Sequence, residues 1–163
     1  MEDCSAFLQT VEEFCSLIEN AESFHRTRFA ALCFRLVSKL LTQVSELPDV
    51  PLLARIHIVG DEDYNKIVTV LKSLLGDKDY YRMVFDPFSE DGEAIYGSLS
   101  DDLSDIWRDL NGGLEAYRSG RVEEAVGEWR FSFAYHWGLH HATHVLKPLL
   151  SVMLEGGWYE HEE

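Results

Sequence analysis

Positive charge is scarce in this chain. Lys and Arg number 14 among 163 residues, against 29 Asp and Glu, and the formal net charge is −15. Such a surface repels phosphate backbones and anionic lipid headgroups, which argues against nucleic acid and the membrane surface as partners. Cysteine is scarcer still. Cys4, Cys15 and Cys33 are odd in number and have no Cys-x-x-Cys spacing, which leaves no disulfide framework and no zinc ribbon. Cys15 and Cys33 fall on apolar faces, where a thiol serves as a small hydrophobe, and this points to a reducing cytoplasm. Long apolar runs are missing: none approaches the roughly eighteen residues of a membrane span. The opening Met1-Glu2-Asp3-Cys4 has neither the basic region nor the apolar core of a signal peptide.

What is present is helical periodicity. Phe7, Leu8, Val11, Phe14, Cys15 and Ile18 form one apolar stripe between about residues 4 and 20. Phe29, Leu32, Cys33, Leu36, Val37, Leu40, Leu41 and Val44 form a longer one, which stops near Leu47-Pro48 because proline removes a donor and restricts the residue before it. Asp49 to Gly60 is ambiguous, since Leu52, Leu53, Ile56, Ile58 and Val59 suit a short helix or an irregular connection. Asp61 is the expected N-cap of a helix ended by Gly76. Residues 77–99 carry no helical period and read as a long aromatic and acidic loop around the Asp86-Pro87 turn signal. Ser98 or Ser100 is expected to cap the next helix, with Asp101 and Asp102 in its electropositive first turn and Gly120 at its end. Arg121 to about Glu155 then reads as one helix, with Pro148 the expected point of any kink. The expected fold is all-α: a single-domain bundle of antiparallel helical hairpins over 1–163, with a long central C-terminal helix.

The densest chemistry lies in Glu128 to His144, EWRFSFAYHWGLHHATH. On a wheel of about 100° per residue, His136, His140 and His144 share a stripe with Trp129 and Phe133, while Arg130 and Trp137 flank it. Three readings follow. In the first, His136 and His140 bind a metal with carboxylates of the preceding helix, where position 105 lies at the height of 136; the wheel turns Asp101 and Asp105 toward solvent and sets Asp102 and Asp109 at the core edge. In the second, Arg130 offers its planar charged fork to a carboxylate or phosphate ligand beside the aromatic rings. In the third, Arg130 pairs with Asp105 or Asp109, the histidines donate to carboxylates, and the tryptophans fill space between helices. The candidate ligand-binding residues are Trp129, Arg130, His136, Trp137, His140, Asp105 and Asp109. No catalytic residue, metal-ligand set or cofactor is assigned. The expected function is to bind a protein partner or a small anionic ligand; the alternative is a metal- or anion-dependent enzyme using His136, His140 and Arg130.

A resemblance rests on particular segments. Gly97-Ser-Leu-Ser-Asp-Asp-Leu103, Asp105-Ile106 and Arg108-Asp109-Leu110 lead into the Gly120 turn, followed by Glu128-Trp-Arg-Phe-Ser-Phe133 and His136-Trp137-Gly138. With Phe24, Arg28, Phe29 and Val84-Phe85-Asp86-Pro87, they resemble the bacterial family known as domain of unknown function 5063. The resemblance implies an all-helical fold and a bacterial cytoplasm, and no reaction. Gly127 stands where that family often has a large aromatic, so a notch is expected beside Trp129.

Overall fold

The computed structural model describes residues 4–53 and 60–157. Helix α1 spans Ser5–Glu19 and α2 spans Arg26–Gln43. Their apolar stripes become one surface: Phe7, Val11, Phe14, Cys15 and Ile18 are buried with Phe29, Cys33, Leu36, Val37 and Leu40. Helix α3 spans Asp61–Leu75. Its N-cap is Gly60 and no side chain caps it, so Asp61 sits inside the first turn, where its charge still meets the positive end of the helix. Leu52 and Leu53 are in irregular backbone, and Ile56, Ile58 and Val59 lie outside the described residues.

The 77–99 stretch differs from its expected loop. Strand β1, Tyr80–Val84, pairs antiparallel with β2, Ala94–Ser98, with Tyr81 opposite Gly97 and Met83 opposite Ile95. Period-2 alternation is present in β1, where Tyr81 and Met83 are half-buried and Tyr80, Arg82 and Val84 are exposed. It escapes notice because the strands are short and their nine-residue connection is not a tight-turn signature. The Asp86-Pro87 turn does form, with Asp86 Oδ1 accepting from the Phe88 amide at 3.0 Å.

Helix α4 spans Leu99–Arg118 and is capped by Ser98, whose Oγ accepts from the Asp101 amide at 3.3 Å. Buried Asp79 secures the same end: its carboxylate accepts from the Ser100 amide at 2.7 Å and from the hydroxyls of Ser100 and Ser98. A carboxylate at a helix N-terminus meets both unpaired N–H groups and the positive pole. Helix α4 then packs against α1 and α3 and, beyond the Ser119–Arg121 turn, against α5, Val122–Tyr135.

Residues 122–154 are helical on either side of a break at His136, yet they are not one α-helix. Helix α5 ends at His136, whose φ of −144° and ψ of −87° leave the helical region. A π-helical segment, Trp137–Ala142, follows, and then α6, Thr143–Leu154. The break falls at His136, not at Pro148, which sits inside α6. Gly138 permits it: a Cβ there would lie 2.1 Å from the Phe133 ring. Helix α6 packs on α2, and among the described residues the bundle is all-α apart from the one hairpin. Among the described residues, no helix is long and apolar enough to cross a membrane.

Candidate metal site

Asp102, Asp105 and Asp109 are spaced three and four apart on α4, so they share a face. That face meets the π segment. His136 Nδ1 lies 2.6 Å from Asp109 Oδ2, and His141 Nδ1 lies 2.7 Å from Asp102 Oδ1. A carboxylate only accepts, so each Nδ1 carries the hydrogen, and an imidazole in its neutral form then turns a lone pair outward at Nε2. The two Nε2 atoms are 3.4 Å apart, and His141 Nε2 is 3.6 Å from Asp105 Oδ2. One ligand atom from each of Asp105, His136 and His141 lies within 4.8 Å of the others. Three electron-rich atoms thus converge, and a cation, either a proton or a metal ion, is what relieves them.

The surroundings hold this triangle in place. Asp105 Oδ1 accepts from Arg108 Nη2 at 2.5 Å, and the Arg108 guanidinium lies 4.3 Å from the Tyr64 ring centre. Asp102 Oδ2 accepts from the Tyr81 hydroxyl. The His136 pKa is raised, chiefly by its hydrogen bond to Asp109. Burial and then the Asp105 charge push the Tyr64 phenol up, while burial and then the bond to Asp102 do so for Tyr81.

The candidate residues read from the sequence separate into two groups. His136, Asp105 and Asp109 come together. Asp105 faces the histidines, not solvent: its side chain is only 15% exposed. His140 is absent from the triangle. It stacks on Phe85 at 5.2 Å, with His144 also against that ring, and burial followed by the neighbouring histidines lowers its pKa. Arg130 is elsewhere: it donates to the Leu47 carbonyl at 2.7 Å and meets Asp49 at 3.1 Å, so its expected pairing with Asp105 or Asp109 is not formed. Its position on α5 turns it toward the end of α2. Trp129 and Trp137 are fully buried, with Nε1 atoms donating to the carbonyls of Leu110 and Trp129. The notch at Gly127 is filled by the Pro51 carbonyl, 2.8 Å from where a Cβ would be.

Sequence reasoning missed His141, because at about 100° per residue it falls some 140° from His136. A π turn closes i to i+5 and brings the two onto one face. The adjacent His140-His141 and Asp101-Asp102 doublets were the available signal, since each doublet offers a second face.

The family profile described as Domain of unknown function (DUF5063) matches residues 2–155. The chain belongs to this family. The DUF5063 match contains the whole of α4, the π segment and the hairpin. The crystal structure of protein BF1032 from Bacteroides fragilis, a Northeast Structural Genomics Consortium target, is similar in fold. It is 24% identical, with a TM-score of 0.77, and the match covers 90% of this chain and 89% of that one. No curated protein matches the chain.

Proposed function

We propose that this DUF5063 chain binds one divalent transition-metal ion through Asp105, His136 and His141, with zinc the best fit, and uses it for metal-assisted hydrolysis. The observation that carries the reading is the convergence of two Nε2 atoms and a carboxylate oxygen, each imidazole being held at Nδ1 by its own aspartate. Carboxylate-bound histidines are the usual outer shell of a metal ligand, fixing its tautomer and ring plane. An ion about 2.1 Å from two atoms 3.4 Å apart subtends roughly 108°, and about 118° for the pair at 3.6 Å. Both angles are nearer tetrahedral than the right angle of an octahedral site, and the third pair, Asp105 and His136, which lies within 4.8 Å, would have to draw closer to share the ion. Three protein ligands leave a fourth position for water, as in catalytic zinc sites, and a bound ion there lowers the pKa of that water toward neutrality. This keeps the metal-dependent reading of the sequence but replaces His140 with His141.

The test is elemental analysis of protein purified without a histidine tag, followed by zinc titration. Near-stoichiometric metal, lost in His141→Ala and kept in His140→Ala, is the expected result. A metal-free protein that takes up no zinc, cobalt, iron or manganese would mean that the cluster is bridged by a proton.

A protein partner is the second reading, favoured by a specific observation. Tyr80, Phe88 and Tyr96 on the hairpin are 66%, 93% and 74% exposed, beside the acids Glu90, Asp91 and Glu93. A basic, apolar partner surface suits them. Co-purification that depends on Phe88 and Tyr96 would support it; an unchanged set of bound proteins in the double alanine variant would remove it. A bacterial cytoplasm fits the three free cysteines and is part of the same proposal.

A further inference from the structure

The hairpin brackets the π segment at two points. Phe85 stacks on His140, one residue from the ligand His141, and Tyr81 reaches the carboxylate that holds His141 from behind. Tyr81 gets there by lying flat over its cross-strand partner. Gly97 faces it in register, and a Cβ at Gly97 would stand 2.5 Å from Tyr81 Cζ and 2.8 Å from its hydroxyl. The ring therefore has one resting place, which needs glycine opposite. From it the hydroxyl donates to Asp102 Oδ2, while Asp102 Oδ1 accepts from His141 Nδ1. Asp102 is buried, so these two bonds fix both of its oxygens in a place where water does not compete.

We propose that Tyr81 is a positioning residue of the metal site, acting through Asp102 to set the plane and donor strength of the His141 imidazole. The proposal rests on the metal reading above. It makes the hairpin a part of the site and not a decoration of the bundle. A hydroxyl donating to Asp102 also withdraws charge from that carboxylate, so its loss by itself would raise the electron density at Nε2; the loss of the fixed imidazole plane is the larger and opposite effect, and it sets the sign of the test.

The experiment is competition titration with Zn²⁺, with the visible spectrum of the Co²⁺-substituted full chain recorded alongside. Tyr81→Phe, which keeps the ring and removes the hydroxyl, is expected to weaken binding about tenfold or more and to shift the Co²⁺ bands. Gly97→Ala, which keeps the hydroxyl and displaces the ring, is expected to do the same. Tyr80→Phe, on the outward face of β1, is expected to change neither. If Tyr81 merely tethers the hairpin, the metal-free melting temperature of Tyr81→Phe falls while its zinc affinity and Co²⁺ spectrum match the parent, and the proposal is overturned. If the parent chain takes up no metal at all, the metal reading fails first and this one goes with it.

Discussion

His141 and His140 are neighbours with opposite roles, and the difference is a matter of how the helix is wound between them and His136. His141 Nε2 meets His136 and Asp105, whereas His140 lies against Phe85. A proton and a metal ion compete for the same Nε2 atoms. Because Asp109 raises the pKa of His136, its imidazolium persists to a higher pH than that of a free histidine, so affinity for metal should climb with pH through and above the usual histidine range. Zinc titrations at pH 5 and pH 7.5 are expected to differ by roughly tenfold or more as His136 gives up its proton; equal affinities would mean that other residues hold the ion. Trp129 makes the contrasting case. It is fully enclosed, edge-on to Phe7 at 5.2 Å and bonded to the Leu110 carbonyl. Trp129→Ala should cost about 3–5 kcal/mol in urea unfolding, as a core truncation. A cost below about 1 kcal/mol, with loss of a ligand, would make it a site residue instead.

At the scale of elements, α4 depends on how its first turn is held. Asp79 is buried and accepts from one amide and two hydroxyls there. Asp79→Ala strands those donors and should destabilise the fold by about 2–3 kcal/mol in denaturant melts, with faster amide exchange at Ser100 and Asp101 than elsewhere in α4. Uniform exchange across α4 would show that the helix start is held by packing alone. The π segment depends on the opposite device, a failure of regular helix. Gly138 lets Phe133 press against the backbone where a side chain would otherwise be, and the chain resumes as α6 with its register shifted. Both devices rest on side-chain contacts between elements, so local propensity says little about them. The hairpin belongs here too: its inward Tyr81 finds its partner, Asp102, on a helix 21 residues further along the chain.

Across the whole molecule, the excess of acid is the dominant long-range term. A net charge of −15 repels itself, and folding concentrates that repulsion. Raising ionic strength from about 0.01 M to about 0.15 M shortens the Debye length from roughly 30 to 8 Å, so the melting temperature should rise with sodium chloride. A flat or falling curve would mean that the surface pairs, such as Arg26–Asp77 and Arg118–Glu12, outweigh the repulsion. By itself, the sequence determined the all-α class, the buried faces of α1 and α2, the end of α4 at the Gly120 turn and the family. Apolar residues at helical spacing can be buried on only one side, and that follows from period alone. It also marked Asp105, Asp109 and His136 as residues of interest. Tertiary structure alone decided that Arg130 turns to Asp49, that β1 and β2 pair, and that His141 joins His136. Each of those depends on which elements come to face one another, and the last on a helical turn closed from i to i+5 where a regular α-helix closes i to i+4.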